Sequence, residues 1–98
     1  MKRFVMALLP LPFLFLPEAG AGEASILHIL TGFSAKESCS CAFVVQQTDD
    51  YCVQFGQVEG FEVDVAIDHE TKIVTATFNG TSRTAHFTDA AGCVLDPL

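Results

Sequence analysis

FEVDVAIDHETKIVTATFNGTSRTAHFTDAAGCVL, residues 61–95, decides the fold. Phe61, Val63, Val65 and Ile67 alternate with Glu62, Asp64, Ala66 and Asp68. A period of two predicts a strand with one buried face. Asp68-His69-Glu70-Thr71 supplies a turn and residues 72–78 a second strand. Asn79-Gly80 is a two-residue hairpin loop, and residues 81–88 form a third strand. Asn-Gly suits a type I′ turn, whose two central residues both take positive φ.

That turn sets the register. With Phe78 opposite Thr81, Ala76 faces Arg83 and Val74 faces Ala85, while Thr77 meets Ser82 and Thr75 meets Thr84. One side then gathers Val74, Ala76, Phe78, Ala85 and Phe87, and the threonines line the solvent side. Asp89-Ala90-Ala91-Gly92 turns the chain into a short last strand, residues 93–95.

Upstream the pattern changes. Residues 24–31 carry Ile26, Leu27, Ile29 and Leu30, enough for a short helix that Gly32 would stop. Residues 39–46, CSCAFVVQ, read as a strand from the β propensity of Phe43, Val44 and Val45. Thr48-Asp49-Asp50 is an N-cap cluster opening a helical turn or two, which Gly56 ends. The expectation is an α+β fold: a three- to four-stranded antiparallel β-meander after one or two short helices, stapled by disulfides.

The staples come from Cys39, Cys41, Cys52 and Cys93, the chain's four cysteines. All follow a leader-like start. Lys2 and Arg3 precede 13 residues of apolar run, Phe4 to Leu16, broken by Pro10 and Pro12. A spanning helix needs ~20 apolar residues, so the run is too short for a stable membrane anchor. Ala19-Gly20-Ala21 is a small-x-small cleavage site. We read residues 1–21 as a signal peptide, with Ala24 as the second cleavage choice, and residues 22–98 as one small exported domain, periplasmic or secreted. Its 77 residues carry Lys36, Lys72 and Arg83 against eleven acids, a net charge of −8. Such a surface repels phosphate backbones and argues against nucleic-acid binding. A domain this small buries ~60% of its unfolded surface, so cross-links are the expected supplement.

Four cysteines allow three connectivities. On a strand, Cys39 and Cys41 would point the same way and not pair with each other. Cys39–Cys93 with Cys41–Cys52, and the swapped Cys39–Cys52 with Cys41–Cys93, both fit the spacing. The cysteine spacing matches no common zinc pattern, and no cofactor is expected. No Gly-x-Ser-x-Gly or Ser-x-x-Lys is present. His28 sits in an apolar run, His69 in a turn and His86 on the threonine side of its strand, opposite Ile73. None forms a triad with Ser40 or Asp89 by spacing. Asn79-Gly80-Thr81 matches a glycosylation acceptor, and the hairpin already accounts for it. No catalytic residue is assigned.

From Gly32 onward, GFSAKESCSCAFV and residues 61–95 resemble the region after the leader in bacterial exported β-lactamase-related serine hydrolases, the 6-aminohexanoate-dimer hydrolase-like group. The matching positions are Ala35-Lys36, Cys39-Ser40, Phe43-Val44, Val63 to Asp68, Val74-Thr75-Ala76, Arg83-Thr84-Ala85 and Gly92-Cys93. They span roughly residues 32–96. The resemblance implies a Cys39–Cys93 bond, with Cys41 and Cys52 as an addition outside the pattern. It also implies a non-catalytic N-terminal module, because the family's nucleophile lies in a downstream domain and Ser-x-x-Lys is missing here. The expected role is structural support of a serine hydrolase catalytic domain. The alternative is a free-standing exported binding or inhibitory module acting on a protein partner; a stand-alone enzyme is not expected.

Overall fold

The computed structural model describes residues 15–98, and their side chains from Ile26 onward. Residues 1–14, most of the expected leader, lie outside the described part. Helix α1 (Phe15–Cys39) runs into a π-helical turn (Ser40–Val45), then helix α2 (Asp49–Phe55). Four strands follow: β1 (Asp64–Asp68), β2 (Ile73–Phe78), β3 (Thr81–Thr88) and β4 (Gly92–Leu95). They form one antiparallel sheet in the order β1-β2-β3-β4. The result is the α+β meander that the sequence predicts.

The hairpin register is the expected one. Asn79 and Gly80 have φ of 53° and 81°, and Phe78 pairs with Thr81, Ala76 with Arg83 and Val74 with Ala85. The threonine face is open to solvent on its polar side, and Thr77 and Ser82 hydroxyls meet across it at 2.7 Å. The opposite face lies under α1. Leu30, Ala35 and Cys39 from the helix join Val63, Val74, Ala76, Ala85 and Cys93 in one buried cluster, with Phe78 and Phe87 packed against it. Ala35, Ala76 and Ala85 in that cluster are fully buried, so small side chains fill part of the helix–sheet interface.

Three local expectations are corrected. First, Gly32 does not stop the helix; α1 runs through it to Cys39. Gly32 is buried, and a Cβ there would sit 3.3 Å from Arg83 Nη1 and 3.3 Å from Leu95 Cδ1. The glycine serves close approach to the sheet, a tertiary demand that overrides its tendency to end helices.

Second, residues 39–46 are helical, not a strand. The segment continues α1 as a π-helical turn and ends at Gln46 in the left-handed region, whose N–H donates to the Cys41 carbonyl. Val44 and Val45 are exposed. No sheet edge accepts them, and β propensity expresses packing on a sheet rather than a backbone preference.

Third, β1 begins at Asp64 instead of Phe61. Val63 is buried, but its backbone pairs with a side chain in place of a strand. Gln57 Nε2 donates to the Val63 carbonyl at 2.9 Å, and the Val63 N–H donates to Gln57 Oε1 at 2.9 Å. Phe61 stays half exposed and meets Phe78 edge to face at 5.4 Å.

The second helix follows its sequence signals. Thr48 caps it, its hydroxyl accepting from the Tyr51 N–H, and Asp49 and Asp50 occupy the first turn, where the helix dipole favours acids. Gly56 ends it. Its far end is fastened to α1 by two serines. Ser34 Oγ donates to the Gly56 carbonyl at 2.7 Å, and Ser38 Oγ to the Cys52 carbonyl at 3.4 Å.

Candidate functional site

The four cysteines form Cys39–Cys93 and Cys41–Cys52, with none left free among the described residues. The first bond joins the end of α1 to β4, and the second joins the π-helical turn to α2. Of the two connectivities open by spacing, the structure takes the one that the resemblance implies for Cys39 and Cys93. All four are buried. As disulfides they offer no thiolate for nucleophilic attack or metal binding. Two disulfides suit an oxidising, non-cytoplasmic environment.

The histidines serve local contacts. His69 Nε2 lies 2.8 Å and 3.0 Å from the Asp49 carboxylate oxygens, linking the β1–β2 turn to the start of α2. His86 Nδ1 lies 2.6 Å from Asp96 Oδ1, and Arg83 Nη2 donates to the Asp96 carbonyl at 3.0 Å. His69 and Asp89 do share a hollow of about 390 Å³, with Phe43, Gln46, Lys72 and Phe87. No serine, threonine or cysteine lines it, and Lys72 Nζ lies over the Phe87 ring at 5.3 Å. Ser40 lies elsewhere, in a groove with Glu37 and Tyr51. The hollow therefore holds His69 and Asp89 without a hydroxyl in its lining, and the His69 ring is bonded to Asp49.

The Asp68 carboxyl is held below its ordinary value. It accepts the backbone N–H groups of Thr71 and Glu70, which favour its charged form. This is turn chemistry at an exposed side chain.

The feature that sequence reading missed is the outer face of α1. Ile26 is 61% exposed, Ile29 69% and Phe33 49%. With Leu30 and Val58 they line an open, wholly apolar groove of about 360 Å³. The signal was present in the sequence. Ile26, Ile29, Leu30 and Phe33 fall at i, i+3, i+4 and i+7, one helix face. Thr31, Ser34, Ala35 and Ser38 repeat the same spacing on another face. The structure buries the small-residue face against the sheet and α2, and turns most of the large apolar one outward.

A second groove continues the line. Glu37, Ser40 and Cys41 border it from α1 and the π-helical turn, and Val45, Tyr51 and Phe55 complete it. Tyr51 and Phe55 stack at 6.3 Å, both about half exposed. Phe33 and Glu37, four residues apart on one helix face, also share a third groove with Ile29, Lys36, Arg83 and Leu95.

No helix among the described residues is long and apolar enough to cross a membrane. No protein-family model matches the chain, and no curated protein or solved structure matches it either.

Proposed function

We propose that this protein is an exported, non-catalytic docking module, whose stapled helix-on-sheet body presents the outer face of α1 to another protein. The observation that carries this reading is the solvent-facing row Ile26, Ile29 and Phe33 on a domain whose core is built mainly from small residues. Leaving three large apolar side chains in water forgoes ~1.5–3 kcal/mol each compared with full burial, which a partner would recover in part. Export is supported by the leader-like residues 1–21 and by the disulfides. Cleavage after Ala21 would leave α1 starting at Gly22 with its apolar row intact.

The first choice of partner is a β-lactamase-related serine hydrolase domain, which this module would support structurally, as the resemblance of residues 32–96 implies. A free-standing binding or inhibitory module is the second reading, and the net charge of −8 on a small domain favours it by making the surface selective. Titration calorimetry against such a hydrolase domain, freed of its own N-terminal module, tests the first choice. Micromolar association that Ile29→Asn weakens at least about tenfold supports it. No association with that domain refutes this partner. Ester or amide turnover by the chain alone refutes the non-catalytic role itself.

A further inference from the structure

The tip of the β2–β3 hairpin carries chemistry that the docking reading does not use. Asn79 is the only asparagine of the chain, and glycine follows it. Both residues are exposed. The space beside Gly80 is open, since a Cβ there would meet no atom within 4 Å.

An asparagine before a glycine holds both partners of an intramolecular reaction. The Gly80 nitrogen gives its proton to solvent base and attacks Asn79 Cγ, and glycine has no Cβ to hinder the approach. The N–Cγ bond forms, the Cγ–Nδ2 bond breaks and Nδ2 leaves as ammonia. The product is a five-membered succinimide, which water opens. Cleavage between the Gly80 nitrogen and Cγ leaves aspartate. Cleavage between that nitrogen and the main-chain carbonyl carbon leaves isoaspartate, whose main chain runs through the side chain and is one carbon longer. Carrying both groups on adjacent residues favours the step wherever the geometry permits it.

The closed hairpin does not permit it. The φ values of 53° at Asn79 and 81° at Gly80 match a type I′ turn, whose first central residue takes ψ of about +30°. Ring closure needs Asn79 Cβ and the Gly80 nitrogen eclipsed, at ψ of about −120°, the value at the first central residue of a type II′ turn. That place favours glycine over a residue with a Cβ. The turn therefore holds the reacting atoms on opposite sides of the Asn79 Cα–C bond. The strands hold the turn in place. Phe78 pairs with Thr81, the Thr77 and Ser82 hydroxyls meet at 2.7 Å, and the Phe78 ring rests edge to face on Phe61.

We infer that Asn79-Gly80 is a latent self-modification site, kept as asparagine by the closed hairpin and converted to isoaspartate when the turn opens. The conversion is one-way for the fold. Loop length fixes hairpin register, and a main chain one carbon longer no longer sets Phe78 against Thr81. The aspartate product keeps the turn, because Asp-Gly also suits type I′. The site thus marks molecules whose hairpin has come apart.

The test incubates the full exported protein at neutral pH in two arms, one folded and one unfolded in guanidinium chloride with reductant. Peptide mapping by mass follows the gain of an acid for an amide, and isoaspartyl methyltransferase labels the rearranged product. A single asparagine makes the signal unambiguous. Asn79→Gln, whose longer side chain closes a ring far more slowly, should stay unlabelled in both arms. The unfolded arm is expected to convert at least about tenfold faster than the folded one, the scale of a backbone conformation disfavoured for a residue with a Cβ. Refolded isoaspartate chains should exchange the Thr81 amide at least about tenfold faster than asparagine chains. Equal rates in the two arms overturn the gate. Unchanged Thr81 exchange in isoaspartate chains overturns the effect on register. An unfolded arm that gains no isoaspartate overturns the site itself.

Discussion

Cys39 and Cys41 stand two positions apart in the chain and fasten it in two different directions, Cys39 to Cys93 in β4 and Cys41 to Cys52 in α2. On a strand the two sulfurs would point to the same side. Near-helical backbone separates them by about 200°, so one bond secures the helix to the last strand while the other secures it to α2. The helical end of α1 is what makes both bonds possible at once.

The bonds should differ in worth. They enclose separations of 54 and 11 residues, and all four sulfurs are buried, so loop length decides. The loop-entropy model gives ~4 kcal/mol for Cys39–Cys93 and ~3 kcal/mol for Cys41–Cys52. Urea unfolding of Cys39→Ser/Cys93→Ser and Cys41→Ser/Cys52→Ser measures the order. A larger loss in the second pair of substitutions would contradict it.

Gly56 and Gly32 both touch a neighbouring element, yet they should respond differently to alanine. At Gly56 a Cβ would overlap Ser38 Oγ and stand 3.1 Å from the Ser34 carbonyl oxygen, which is backbone. Gly56→Ala should cost ~1–3 kcal/mol, and Ser38→Ala should restore part of it. At Gly32 the neighbours are the ends of Arg83 and Leu95, which can move. The helix gains up to ~1 kcal/mol from alanine, so Gly32→Ala should be close to neutral. Thermal melting of the three variants decides between these outcomes.

Gln57 acts as a missing strand residue, holding both backbone groups of Val63 and the Val53 carbonyl at 3.1 Å. Gln57→Ala leaves them unpaired and should cost ~1–3 kcal/mol. Gln57→Glu keeps the acceptor for the Val63 N–H and loses both donated bonds. Hydrogen exchange at Val63 should therefore accelerate strongly in Gln57→Ala and much less in Gln57→Glu.

Asp68 links the β1–β2 turn to pH. Its folded pKa lies below the ordinary carboxylate value, first through the Thr71 N–H and then the Glu70 N–H. A depressed acid contributes stability above its unfolded pKa and loses it as pH falls through the folded value. The stability difference between the protein and Asp68→Ala should thus be constant at neutral pH and shrink below about pH 4. An Asp68 carboxyl that titrates by NMR above its ordinary value would contradict this.

The meander was legible because its information is local. Strict alternation over residues 61–68 and the Asn79-Gly80 turn set faces and register without help from the rest of the chain. The Thr48 cap was legible for the same reason. The course of α1 was not, since Gly32 reads as a stop signal, and the packing against Arg83 and Leu95 that carries the helix past it lies far along the chain. Val44 and Val45 misled because their β propensity had no free edge to join. At the candidate site, the i, i+3, i+7 row of Ile26, Ile29 and Phe33 was visible, but its exposure depends on Thr31, Ser34, Ala35 and Ser38 offering the better fit to the sheet and α2. Two faces with the same spacing compete, and packing selects between them.

The central claim is that the apolar row on α1 serves docking and contributes little to the fold. The double substitution Ile29→Asn/Phe33→Ser tests it most directly, with melting temperature and affinity for the hydrolase domain measured on the same sample. The account predicts a melting temperature within about 4 °C of the unsubstituted protein, the range of a ~1 kcal/mol change, both disulfides intact by mass, and affinity for the hydrolase domain reduced at least about tenfold. Unfolding of the variant, or unchanged affinity in a folded one, would contradict it.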